Sequence, residues 1–457
     1  MQRTWRWLCG LIVLAISQAG FVAMIIQPQA VSLELLNFSQ IPYTYTQSPT
    51  VFRQIFANAI SQPVRVALFG DSQETSPGGA GTVYVPRVNY EMYLRYGQVS
   101  ETKVMSNGST GSGSPPADWL VSSSGSIPVQ SPPTIQNVST YVLPSMSIIG
   151  HSTKNGGINI NGENYGQLDV LRKDALLVAA GAGIPTTNDY FCLGATVGAE
   201  LFAITYQVSG ELTVRMLPTN ATTNNYFATL AGTQTSAIGL ESPVRAIKTW
   251  ALSGIPMNGF LYQQLEVNGS ENSKLTNFIG LRYISESCSQ GVVVNTFSAG
   301  GYTADSVLAN HGNSGPLLAA IGPHVAWLHF GANGIGGVAF TAVAYQARLQ
   351  QLIQFIRTAV GNPSFPVILS ADIYRTGIAT ADRIAQYDLY TGAAYNIARV
   401  DPNVMLLNSR RLMDDIGLNA NNPAVVAAML TDGVHYTDLG AQTLAQLEIE
   451  TLYAAVQ

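Results

Sequence analysis

The chain has 457 residues, of which 47% are hydrophobic and only 11% charged, with a net charge of −5. Charged residues make up about a quarter of an average soluble domain, so this surface is neutral and rich in Ser, Thr, Asn and Gly. The length suits two domains, and the balance excludes a nucleic-acid partner, because neutralising phosphates takes clustered Lys and Arg.

At the amino terminus, Arg3 and Arg6 precede the apolar run Leu8 to Ile16 and then Ser17-Gln18-Ala19. A positive start, an apolar centre and small residues read as a cleaved export signal, which implies a secreted, periplasmic or cell-surface protein. Apolar residues resume from Phe21 to Ile26, so the stretch from Leu8 to Ile26 is also long enough for an uncleaved membrane anchor. That anchor is the only membrane contact expected. Cys9 lies in this segment without the small residues that would mark a lipoprotein. Residues 31–62 read as a leader that packs onto the following domain. Val64–Phe69 is a strand, and Val85–Tyr96 is a helix with Tyr90, Tyr93 and Leu94 at helical spacing.

From Ser106 to Pro133 the chain is rich in Ser, Gly and Pro and reads as a linker. Short β-type runs follow at Leu176–Ala180, Phe202–Val208, Leu212–Leu217, Ala246–Leu252 and Gly259–Val267, separated by Asn, Gly and Thr turns. This pattern predicts a β-sandwich-like domain inserted between two parts of another. The division is 1–30 signal or anchor, 31–105 first part, 106–133 linker, 134–283 inserted β-rich domain and 284–457 second part. Cys192 and Cys288 can pair in an oxidising compartment or remain two separate buried thiols. No Cys/His cluster has zinc spacing, and no cofactor or metal is expected. Asn137, Asn220 and Asn268 stand in Asn-x-Ser/Thr triplets, which matter only in a host that glycosylates.

Beyond the insert, strands and helices alternate. Strands are expected at Gly291–Phe297, Val325–Phe330, Pro366–Ser370 and Asn403–Leu407. Helices are expected near Ala304–Asn310, 339–360, 381–400 and from Thr437 to about Tyr453. With Val64–Phe69 this predicts an α/β, doubly wound, five-stranded parallel sheet with helices on both faces, and catalytic loops at the carboxyl ends of its strands.

Those ends carry the chemistry. Gly70-Asp71-Ser72 follows the first strand, and Asp432-Gly433-Val434-His435 precedes the last helix. A serine on a strand-to-loop turn with a late Asp-x-x-His offers a nucleophile, a base for its proton and a carboxylate to orient that base. Of the five histidines, His329 falls in a strand and reads as packed, His311 and His324 sit in loops, and His151 is in the insert. Only His435 has a carboxylate three residues earlier, just before a helix, and imidazole exchanges protons near neutrality. Asp372, after a later strand, is a rival orienter, and Asp438 reads as the cap of the last helix. Each residue also has an ordinary reading, as a turn serine, a surface histidine or a turn aspartate. Tyr302 and Trp119 are either walls of a sugar cleft or plain core or surface aromatics.

Two more segments complete a set: Ser298-Ala299-Gly300-Gly301-Tyr302-Thr303 and Gly331-Ala332-Asn333-Gly334. The four blocks, in this order, resemble the SGNH (GDSL-type) hydrolase family over about 63–100 and 285–457. The resemblance implies a flavodoxin-like sheet, Ser72 as nucleophile, and Asp432 and His435 as the rest of a triad. It implies an oxyanion hole built from the backbone N–H of Ser72, that of Gly300 or Gly301, and the Asn333 amide. Gln73 stands where the family name implies leucine, and the stretch between the first two blocks is far longer than a minimal member needs. The function implied is a secreted carboxylic-ester hydrolase, acting on O-acetyl groups of a small-molecule or glycan ester. Its alternatives are an O-acyltransferase with the same triad, a lipase or lysophospholipase, and a non-catalytic glycan-binding protein.

Overall fold

In this computed structural model the described residues are 35–74, 84–101, 105–106, 289–298, 303–309, 315, 318–331, 333, 341–371, 373–376 and 381–457, with the backbone of the strands between 146 and 285. The export segment, Cys9, Cys192, Cys288, Trp119, most of the linker, the run Leu176–Ala180, Asn137, Asn220, Gly300, Gly301, Tyr302, His311 and Asp372 lie outside them.

The main sheet has six strands: β1 (Thr44–Tyr45), β2 (Val64–Gly70), β3 (Val292–Ser298), β4 (Val325–Phe330), β5 (Val367–Ala371) and β6 (Val404–Leu407). Their spatial order is β1-β6-β5-β4-β2-β3. The five strands from β2 to β6 run parallel, and the two-residue β1 joins the β6 edge antiparallel. The sequence therefore accounts for the parallel strands but not for the sixth, which is too short to show a period. Numbering the parallel strands alone, the order is 2-1-3-4-5, the flavodoxin-like arrangement, whose topological switch point falls between β2 and β4.

The strands are apolar almost throughout because both faces are covered. Alternate residues of β2 go to opposite cores: Ala67 and Phe69 to one, Val64, Val66 and Leu68 to the other. The first core is closed by α3 (Ala304–Ala309), α4 (Ala342–Val360) and α5 (Ala381–Val400). The second is closed by α1 (Pro49–Ala57), α2 (Tyr84–Tyr96), α6 (Ser409–Asp415), α7 (Pro423–Met429) and α8 (Asp438–Val456). Helices α1, α6 and α7 were not anticipated. They are short, and two begin with proline at the first turn, where its missing N–H costs nothing. Helix α8 is capped by Thr437, whose hydroxyl accepts from the Gly440 amide at 3.0 Å, rather than by Asp438, which is already the first helical residue.

Between 105 and 285 the backbone forms antiparallel strands. Thr233–Ala237, Glu211–Thr219, Tyr262–Gly269, Gln167–Arg172 and Met146–Ser152 make one sheet, in that order. Ala246–Pro256, Thr196–Thr205, Thr276–Ser285 and Met105–Ser106 make another. All their pairing partners fall within the same stretch. Where the chain departs and returns, the Ser100 amide donates to the Gln290 carbonyl at 2.9 Å. Gly291 packs there with φ +91°, and a Cβ on it would stand 2.5 Å from the Val99 Cα, so only glycine lets the two segments meet.

Candidate active site

Strand β2 ends at Gly70, and residues 71–74 form a tight turn at the carboxyl edge of the sheet. The turn is held by its own side chains. The Glu74 carboxylate accepts from the Asp71 amide at 2.8 Å, and the Asp71 carboxylate accepts from the Gln73 amide at 3.0 Å. Glu74 folds back over Gly70 so closely that a Cβ there would stand 2.2 Å from its oxygen. Asp71, Gln73 and Glu74 are buried, and Ser72 is left half-buried at the apex.

The other half of the site is the loop between α7 and α8. Leu430 and Tyr436 form an antiparallel bridge, and the Thr431 amide donates to the His435 carbonyl at 2.8 Å. Within the loop, one Asp432 oxygen accepts from the amides of Val434 and His435 at 2.9 and 2.7 Å. Gly433 supplies the required positive φ of +78°. The spacing Asp-x-x-His therefore has a local mechanical reason: the carboxylate caps the turn that presents the histidine.

Across these two turns, Ser72 Oγ lies 3.1 Å from His435 Nε2, and His435 Nδ1 lies 2.7 Å from the second Asp432 oxygen. Burial pushes the Asp432 carboxyl up. The hydrogen bonds from the His435 amide, its imidazole and the Val434 amide outweigh that and hold it down at about 2. An ionised carboxylate only accepts, so Nδ1 carries the hydrogen and Nε2 keeps its lone pair toward the serine hydroxyl. The structure thus brings together the three residues singled out in the sequence, in the chain Ser–His–Asp.

Asn333 is half-buried three residues past the end of β4, the strand beside β2 across the switch point, where open α/β sheets place their ligands. Of the other histidines, His329 is buried, with Nδ1 2.9 Å from the Glu74 carboxylate, and His324 Nδ1 accepts from the Arg65 amide at 3.0 Å. His151 lies in the strand Met146–Ser152. Among the described residues, no group of three or more His, Cys, Asp or Glu side chains is placed to hold a metal ion.

Three residues were missed. Gln73, noted only as a departure from leucine, reaches the loop of His435. Arg375, on the loop after β5, donates to the Val434 carbonyl and places its guanidinium 5.3 Å from the Tyr436 ring centroid. Glu74 braces the serine turn. The sequence signal available for Gln73 and Glu74 was two polar side chains on a turn that must be buried. For Arg375 there was none. A cavity of about 400 Å³ opens beside Gly433, between Tyr374, Thr376 and α7, but neither Ser72 nor His435 lines it.

No protein-family model matches the sequence, and no curated protein sequence matches it. Among solved structures, a peptidoglycan O-acetylesterase is similar over 91% of this chain and 99% of its own, with a TM-score of 0.53 at 12% identity. At that identity the likeness is one of fold. An acetylxylan esterase from Geobacillus stearothermophilus matches 36% of this chain and 73% of its own, at 20% identity and TM-score 0.29. A carbohydrate esterase of family 3 from Talaromyces cellulolyticus matches 35% and 72%, at 18% identity and TM-score 0.29.

Proposed function

We propose that this protein is an exported serine esterase that removes O-acetyl groups from a glycan through an acyl-enzyme. The observation that carries the reading is the contact of Ser72 Oγ with His435 Nε2 at 3.1 Å, backed by Asp432 on Nδ1 at 2.7 Å. A hydroxyl is a weak nucleophile until a positioned base takes its proton. In this reading Ser72 Oγ attacks the ester carbonyl carbon as its proton passes to His435 Nε2. Asp432 stabilises the imidazolium and stays ionised itself. The oxyanion is held by the Ser72 amide, the Asn333 side chain and a glycine amide of 300 or 301, each such donor being worth about 3–4 kcal/mol. The tetrahedral adduct collapses, His435 returns the proton to the departing sugar oxygen, and acetyl-Ser72 remains. A water molecule then gives its proton to His435 and attacks the acetyl carbon, and acetate leaves as the serine regains its proton.

The substrate class rests on the fold shared with a peptidoglycan O-acetylesterase and on the sparsely charged, polar composition. Export rests on the amino-terminal segment. The test is p-nitrophenyl ester hydrolysis across acyl chain lengths: acetate is turned over fastest, and Ser72→Ala lowers its kcat by at least about a thousandfold while the fold survives. Retained turnover in that variant rejects the mechanism. Preference for long acyl chains rejects the acetyl substrate, and acetyl transfer to an added glycan in place of acetate release makes the protein a transferase.

A further inference from the structure

We propose that Gln73 is a positioning residue that sets the distance between nucleophile and base. This rests on the hydrolase reading above and deepens it. The Asp432–His435 contact lies within one loop and forms locally. The Ser72–His435 contact joins segments 363 positions apart, so something must hold the two turns in register. Gln73, next to the serine and 1% exposed, spans them. Its Oε1 accepts from the Tyr436 amide at 3.2 Å, and its Nε2 lies 3.4 Å from the Val434 carbonyl. These are the backbone groups on either side of His435. Its own amide is tied to the Asp71 carboxylate at 3.0 Å, so the side chain starts from a fixed base. Arg375 donates to the same Val434 carbonyl from the opposite element, and the Leu430–Tyr436 bridge closes the loop behind. The carboxamide suits this place because it offers one acceptor and one donor to a peptide that presents one N–H and one C=O. A leucine here would leave the buried Tyr436 amide without this acceptor, at the cost of an unsatisfied polar group, and would leave the Val434 carbonyl to Arg375 alone. The serine hydroxyl and the imidazole would lose their common reference.

The test compares Gln73→Met, which keeps the size and removes both polar atoms, with Gln73→Glu, which keeps an acceptor for the Tyr436 amide. For Gln73→Met, kcat on p-nitrophenyl acetate and the rate of fluorophosphonate labelling fall together by about ten- to a hundredfold, the scale of an ångström of misplacement. KM stays within about threefold, and Tm moves by less than about 2 °C. The low-field imidazole N–H resonance of the Asp432–His435 pair persists, because that pair does not depend on Gln73. Gln73→Glu loses less. Wild-type rates in Gln73→Met overturn the inference, as does a loss of rate that follows Tm and the resonance downward together, which is the mark of a merely structural role. Absence of turnover and labelling in the wild-type protein marks failure of the hydrolase reading itself, and this inference falls with it.

Discussion

Asp432 does two jobs with one carboxylate. One oxygen closes the turn by accepting two amides, and the other accepts from the imidazole. Its folded pKa of about 2 is depressed from the ordinary 3.8. Its contribution to the folded state is therefore present above 3.8 and is lost as pH falls toward 2, so loss of the proposed activity above pH 3.8 is not the titration of this carboxylate. In Asp432→Asn the turn can still be capped, but the amide does not fix the hydrogen on Nδ1. The expected result is a fall in kcat of about a hundred- to ten-thousandfold with KM little changed, read from steady-state kinetics at neutral pH. The Ser, His and Asp of this constellation were all legible in the sequence, because a Gly-Asp-Ser after a strand and an Asp-x-x-His before a helix are set by local turn geometry. The partners of Gln73 and Arg375 were not legible, because they are fixed only when distant turns meet, whereas Glu74 braces its own turn and left only the signal of a polar residue on a buried turn.

At the level of elements, the site is carried by a strand end and by a loop wedged between two helices. The loop is held by close backbone approach: a Cβ on Gly440 of α8 would stand 2.1 Å from the Met429 carbonyl of α7. Helix α8 also carries Glu448, fully buried, which accepts from the Tyr84 hydroxyl at 2.5 Å and from the Ser409 hydroxyl. These bonds join α8 to α2 and α6. Burial pushes the Glu448 carboxyl up, against the pull of His329 and the hydrogen bonds from Ser409 and Tyr84, with Glu74 adding to the rise. A carboxyl raised on folding stabilises fully below its ordinary value and loses that contribution as pH rises through the folded one. Glu448→Gln keeps an acceptor for one hydroxyl and an amide for the other, and never ionises. Its Tm is expected to equal or exceed that of the wild type at pH 8 and to vary less between pH 5 and 8, measured by thermal unfolding. The long elements that frame this arrangement were readable from period and turn residues. The short helices α6 and α7 between β6 and the histidine loop were not, since seven residues give less than two turns of pattern.

Across the whole molecule, the parallel order of β2 to β6 puts Ser72 and Asn333 on either side of the switch point, so the sheet itself nominates the place of chemistry. Alternation of strands and helices made the doubly wound sheet legible, whereas the two-residue β1 edge is too short to show a period; the alternation in Gln167-Leu168-Asp169-Val170 was present in the sequence and missed. The segments on either side of residues 102–288 are hydrogen-bonded at Ser100 and Gln290, and adjacent ends are what tolerated insertions require. A chain in which residues 102–288 are replaced by a short Gly/Ser turn is expected to fold and to hydrolyse p-nitrophenyl acetate within about tenfold of the parent, while losing most activity on an acetylated polymer. Equal loss on both substrates would show that this stretch is needed to build the sheet domain.

Because the Ser72 turn and the His435 loop are 363 positions apart, the proposed serine–histidine pair cannot form until the chain between them has been made and has closed on itself. Contacts of such sequence separation are among the slow ones in folding. Recovered turnover during refolding would therefore trail the return of helical circular dichroism, and ester hydrolysis would serve as a clock for the last tertiary closure.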